Sequence, residues 1–282
     1  MSQPEAANRR AIPAPMPTVR PTPVTRATFP SRLVSTIVAI MHGPTDLLLT
    51  RFLHDIRPAV PLVALWAHGS LAAGDYQPGK SDLDLIAVVE TDVTEEQRRR
   101  LAKLHEELVL PLAEHLHCSY MPRHRLGDFA TDHVTWAHQE LYERPVTPVT
   151  RRELHAGALE LYGAPPAGLL PPVSDEELSG FIRADLRDFW LVKTRTRKLW
   201  LRDIWVDLGM ITVARATVTL RDGRLITKRA ALNVLAELGA PMNVVEDIRA
   251  RRYGLPRPFL SRFRRATLAR VFIRAAIKRA LA

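Results

Sequence analysis

Apolar residues follow two rhythms along this chain, and the change between them falls near its middle. In the first half, 62–67 and the run from 83 to about 89 are short and apolar, of strand length. A third run, 116–121, alternates, with Leu116, Cys118 and Tyr120 on one face. Helical spacing surrounds them. It runs over 32–41, again after Gly43-Pro44 to about Ile56, and over 92–111, where Thr94-Glu95-Glu96-Gln97 offers a capping box and Leu101, Leu104 and Leu108 a stripe. This half reads as αα-β-β-α-β, a small α/β unit. From about 145 the spacing is helical throughout, over 175–199, 203–220, 228–239, 242–252 and 259–281. Thr150-Arg-Arg-Glu153 and Ser174-Asp-Glu-Glu177 are further capping-box candidates, and 161–166 reads as a helix closing in a Gly/Pro turn. The fold class expected is therefore α+β. A Pro-rich disordered leader (1–30) precedes a domain with a short mixed sheet (31–144), an all-helical domain (145–255) and a basic C-terminal helix (256–282).

Composition narrows the setting. No apolar stretch approaches the ~20 residues of a membrane span. Arg9-Arg10 leads into Pro-rich sequence rather than an apolar segment, so no secretory signal is expected. The single Cys118 excludes an internal disulfide and suits a reducing cytoplasm. Net charge is +10, but residues 248–282 hold eleven Arg/Lys and no Asp/Glu, and the stretch between leader and tail is mildly acidic. Such a tail can track phosphate. Arg exceeds Lys along the whole chain, however, which favours an ordinary solvated basic helix face over nucleic-acid binding.

Chemistry concentrates between the first two strands. The strand at 62–67 runs into Gly69-Ser70, and after a Gly/Pro-containing spacer Ser81-Asp82-Leu83-Asp84 opens the next strand. Alternation puts Asp82 and Asp84 on one face. Two carboxylates one strand repeat apart can share a divalent cation, and Mg²⁺ takes a few carboxylates together with phosphate oxygens. Gly69 permits close backbone approach, and Ser70 offers a hydroxyl and an N–H to phosphate.

Gly-Ser, a spacer and Asp-apolar-Asp at the head of a strand resembles the signature of the polymerase-β-type nucleotidyltransferase superfamily. The spelling Ser81-Asp-Leu-Asp-Leu85 is most similar to aminoglycoside adenylyltransferases of the streptomycin/spectinomycin type, over about 44–245. The resemblance implies ATP as co-substrate, Mg²⁺ on Asp82 and Asp84, and phosphate contacts from Gly69, Ser70, Ser81, Arg215 and Lys228. It also implies a small acceptor such as an aminoglycoside, and hence antibiotic resistance. Asp203 and Asp207, four apart on a helix face, with Trp200 nearby, would hold that polycation. Their step to Arg215 is about two residues shorter than the family's.

The largest departure lies on the third strand. Family members place a carboxylate there, facing the metal. Here His117 stands in its place. Either His117 is the general base toward the acceptor hydroxyl, or the protein is weak or inactive on hydroxyl acceptors. Two rival readings follow: a nucleotidyltransferase acting on protein or RNA, and a non-catalytic nucleotide-binding homologue.

Overall fold

The computed structural model describes residues 43–282. The leader expected over 1–30 and the helix over 32–41 lie outside the described residues. Helix α1 (Gly43–Ile56) leads into β1 (Leu62–Ala67), and a helical turn at Gly69–Ala72 separates it from β2 (Leu83–Val89). Helix α2 (Glu95–Glu107) begins at Thr94, whose capping box with Gln97 is formed as the sequence predicts. Then come β3 (Leu116–Pro122), a hairpin of β4 (Asp132–Ala137) and β5 (Glu140–Pro145), α3 (Pro148–Gly157) and β6 (Leu159–Gly163).

Among the described residues these strands form one six-stranded sheet in the order β5-β4-β3-β2-β1-β6. Only β2 and β3 run parallel; the other neighbours are antiparallel. The turn joining β4 to β5 is made by His138 and Gln139, both at positive φ.

The sheet separates two kinds of environment. On one face Leu85, Ala87, Cys118 and Tyr120 pack with Leu48 and Phe52 of α1 and Leu101 of α2. On the other, Trp66, Ile86, Val88 and Met121 pack with Leu154 of α3. Asp84, His117 and Ser119 share that second face, because residues of one parity point the same way. In the parallel pair Asp84 lies opposite His117.

Residues 161–166 do not end a helix. Leu159–Gly163 is a strand, hydrogen-bonded along β1, so the sheet takes its sixth strand from beyond residue 144. Gly163 has φ +77°, and a Cβ there would collide with the Val63 carbonyl. The glycine that reads as a helix stop is required instead by the close approach of β1.

The remaining chain is helical: α4 (Asp175–Ala184), α5 (Asp203–Asp222), α6 (Lys228–Glu237), α7 (Met242–Tyr253) and α8 (Arg262–Leu281). Ser174 and Glu177 form the expected capping box on α4. The single helix expected over 175–199 is broken. A π-helical segment, Asp185–Trp190, follows α4, and the Thr194 hydroxyl then donates to the Leu191 carbonyl. The basic tail is no free appendage. Ala269, Phe272, Ile273 and Ala276 of α8 are buried in the same core as Val206, Met210 and Val213 of α5. Among the described residues no helix is long and apolar enough to cross a membrane.

Candidate active site

β1 delivers the chain to Gly69, whose φ of +64° turns it away from the sheet. A Cβ at this position would stand 2.9 Å from Asp84 Oδ2, so conformation and space both demand glycine. The His68 N–H donates to the Asp84 carbonyl at 2.9 Å, tying the turn to the start of β2. These constraints bring Gly69, Ser70 and Asp84 to one wall of a cleft of about 520 Å³. His117 and Ser119 of β3 continue that wall. Thr147, Thr150 and Glu153 close a second side, and Arg215 of α5 with Lys228 at the start of α6 a third.

The carboxylates of the motif are half open to solvent, at 48% exposure for Asp82 and 32% for Asp84. No Lys or Arg pairs with either among the described residues. Their neighbours are imidazoles. His117 Nδ1 is 3.6 Å from Asp84 Oδ1, and His117 Nε2 and His115 Nδ1 are each 3.9 Å from Asp82 Oδ1. Burial alone would raise the Asp84 pKa. Hydrogen bonding to His117 and the charges of His68, His117 and Lys228 outweigh it and hold the group below its ordinary value. Asp84 is thus an anion at neutral pH.

Among the described residues no group of three or more His, Cys, Asp and Glu side chains is arranged to hold a metal ion unaided. The donor set does fit Mg²⁺ that draws its other ligands from a triphosphate, since such sites use one or two carboxylates with substrate phosphates. Asp82 and Asp84 are the carboxylates that would supply the pair.

Glu153 reads in the sequence as the end of a capping box, and the structure assigns it otherwise. Thr147 caps α3, with Pro148 in the first turn, and its hydroxyl accepts from the Thr150 N–H at 3.2 Å. Glu153 is left to face the cleft. Its Oε1 accepts from Arg215 Nη2 at 2.6 Å, and its Oε2 lies 3.2 Å from His68 Nδ1. Burial would raise its pKa, but His68 and Arg215 together lower it. Arg215 also donates to the Ile226 carbonyl at 2.8 Å, so its guanidinium is held from both sides. The Thr147-Pro148 dipeptide, a better helix start than Thr150, is the signal that could have freed Glu153 for the site.

Other expected site residues lie elsewhere. Ser81 is buried, its hydroxyl accepts from the Gln77 N–H at 3.1 Å, and it does not line the cleft. Trp200 is fully buried in the helical core, its indole donating to the Lys193 carbonyl at 3.0 Å. It has no surface to offer an acceptor. Asp203 and Asp207 do not line the cleft either. Asp207 is paired with Arg251, and Asp203 with Arg265. Asp247 joins Arg251, Arg257 and Arg265 in the same network. The chain's own C-terminal arginines occupy the carboxylates that the resemblance gave to a polycation.

Residues 49–135 match the family model of the nucleotidyltransferase domain, which spans β1, both motif elements and β3. With the mixed sheet, the Gly-Ser turn and the paired aspartates, this defines the class: an enzyme of the nucleotidyltransferase type, resembling the polymerase-β-type superfamily. No curated protein matches the chain. Among solved structures it is similar to spectinomycin adenyltransferase AAD(9) from Enterococcus faecialis, determined with ATP and spectinomycin. The TM-score is 0.62 at 13% identity, covering 80% of this chain and 98% of that one. At that identity the likeness is one of fold, and it extends through the helical half.

Proposed function

We propose that this enzyme transfers a nucleoside monophosphate, AMP from ATP, to a hydroxyl of a small acceptor, releasing pyrophosphate. The observation that carries the reading is Asp84 beside Gly69-Ser70, sharing one cleft with Lys228 and Arg215, with the half-exposed Asp82 two residues before it. A triphosphate entering there meets backbone and hydroxyl donors from 69–70 and two cationic side chains from the helical half. Asp82 and Asp84 would hold Mg²⁺, which supplies charge neutralisation at the transferring phosphoryl group.

The acceptor oxygen forms its bond to the α-phosphorus as the bond to the bridging β-oxygen breaks, and pyrophosphate leaves with that oxygen. His117, on the cleft wall next to Asp84, receives the hydroxyl proton. Glu153 fixes Arg215 for the phosphates rather than acting on the acceptor, because Arg215 and His68 already engage its two oxygens. The AAD(9) structure makes aminoglycoside-type cyclitols the first acceptors to try. The closed Asp203/Asp207 network removes the acceptor contacts expected on α5.

Pyrophosphate release from ATP and from the other nucleoside triphosphates, across aminoglycosides, other polyhydroxylated small molecules, RNA and protein, tests this reading. Release with a small hydroxyl acceptor, lost in Asp84→Asn, is expected. Release with RNA or protein alone would move the function to a macromolecular acceptor. ATP binding without release from any acceptor would make the chain a nucleotide-binding homologue.

A further inference from the structure

The spacer between Gly69-Ser70 and Asp82-Asp84 grips the helical half of the molecule. Asp75 lies within it and is 2% exposed. One carboxylate oxygen accepts from the Arg229 backbone N–H at 2.9 Å, and the other accepts from the Tyr253 hydroxyl at 3.1 Å. Arg252 and Arg229 pair with the same group at 3.3 and 3.6 Å. Five residues on, Lys80 Nζ donates to the carbonyls of Arg251 and Arg252 at 3.0 and 3.3 Å, at the end of α7.

Both contacts match the helix ends they touch. A carboxylate on a first-turn N–H and an ammonium on last-turn carbonyls each complete orphaned backbone groups and oppose the helix dipole. The N–H that Asp75 holds belongs to the residue after Lys228, the first residue of α6 and a wall of the cleft. Thr227 caps the same turn through the Ala230 N–H. A residue of the motif's own spacer therefore holds the helical turn that carries Lys228.

We propose that Asp75 is a positioning residue for the nucleotide: through the first turn of α6 it holds Lys228 against the phosphate end of the cleft, with Lys80 steadying α7 beside it. This rests on the reading of the cleft as a triphosphate site. An exposed linker would leave Lys228 to be placed by the helical half alone. Here the turn that offers Ser70 and the helix that offers Lys228 are joined through one buried carboxylate.

The test measures ATP affinity with Mg²⁺ by calorimetry, and amide exchange over 227–231, for the wild-type chain, Asp75→Ala, Asp75→Asn, Lys228→Ala and the double variant Asp75→Ala/Lys228→Ala. Asp75→Ala is expected to speed exchange in the first turn of α6 and to weaken ATP about tenfold. Asp75→Asn keeps an acceptor for the Arg229 N–H and should recover most of that loss. The double variant should bind within about twofold of Lys228→Ala, since both changes remove one interaction. Should Asp75→Ala fail to fold, Asp75→Asn and Lys80→Met carry the same comparison, each with a loss of about threefold. Faster exchange with unchanged ATP affinity, or losses that multiply in the double variant, would leave Asp75 a purely structural tie and overturn the proposal. A wild-type chain that does not bind ATP would instead overturn the reading of the cleft, and the proposal with it.

Discussion

Two groups of carboxylates in this molecule stand in opposite electrostatic states. Asp84 lines the cleft and Asp82 stands half exposed beside it, with imidazoles 3.6–3.9 Å away and no guanidinium or ammonium paired to either among the described residues. Asp203, Asp207 and Asp247, on α5 and α7, are enclosed by Arg251, Arg257 and Arg265. In one-dimensional sequence Asp82/Asp84 and Asp203/Asp207 look alike, as acidic residues two or four apart on one face. The difference is where the countercharge comes from. The first pair has no protein cation beside it among the described residues, and in the proposed function Mg²⁺ would supply one. The second group received its cations from the end of the chain when the helical half folded, and Arg265 is nearly fully buried in the process. Burial raises the Asp207 pKa despite Arg251, whereas the Arg251 and Arg257 contacts overcome burial and lower that of Asp247. Asp247 is the better-served member and the centre of the network.

The contrast breaks most sharply at Asp84. Asp84→Asn, or Asp82→Asn, should cut nucleotidyl transfer about a thousandfold or more while the thermal midpoint stays near that of the wild type. Pyrophosphate release and a melting curve on the same preparation check it, and near-normal turnover would remove both residues from the metal site. His117→Ala should cost about 10²–10⁴ in turnover with ATP affinity nearly intact. His117→Glu should retain part of that turnover, whereas a full-rate His117→Ala places the base elsewhere.

On the closed side the expected loss is in stability. Asp247→Ala removes the buried carboxylate that three arginines share and should lower unfolding free energy by about 3–5 kcal/mol, measured by urea titration. Asp207→Ala should shift the acceptor KM by less than about twofold, because Arg251 already holds that carboxylate; a large KM effect would restore it to the acceptor site. A separate effect is expected in acid. Burial pushes His105 down to about 3 and His133 to about 4, so as pH falls below about 6.5 the unfolded chain takes up protons first. Stability from these two groups is complete above about 6.5 and is lost as pH falls to about 4 for His133 and about 3 for His105. Melting temperature against pH should show that slope, flattened in His133→Phe, since neither ring nitrogen of His133 has a hydrogen-bond partner to lose.

Much of this was legible because it is local. The Gly69-Ser70 turn, the opening of β2 at Asp82-Leu83-Asp84, the parity of His117 on β3, and the capping boxes at Thr94 and Ser174 depend on residues within a few positions of one another. What sequence could not supply depends on partners far along the chain. β6 looks helical until β1 lies beside it. Glu153 looks like a cap until His68 and Arg215 arrive from either side. Trp200 looks like a ligand platform until Gly209 and Ile273 enclose it; a Cβ on Gly209 would stand 2.8 Å from its ring. Asp207 looks free until Arg251 reaches it from 44 residues away.

The placing of β6 also sets a schedule. β1 pairs with β2 on one side as soon as both exist, but its other edge is covered only by β6, and the Trp66 indole finds its acceptor in the Ala164 carbonyl 98 residues later. At the usual ~5–20 residues per second of ribosomal synthesis, that edge waits about 5–20 seconds for its partner. The waiting strand is Leu-Val-Ala-Leu-Trp-Ala, apolar throughout, the kind of segment that recruits a neighbouring chain when left unpaired. A nascent chain stopped at residue 144 holds Gly69-Ser70 and Asp82-Leu83-Asp84 with that edge still bare. Aggregation of such fragments, and chaperone occupancy of the ribosome-bound intermediate, are expected to end as Gly163 clears the exit tunnel.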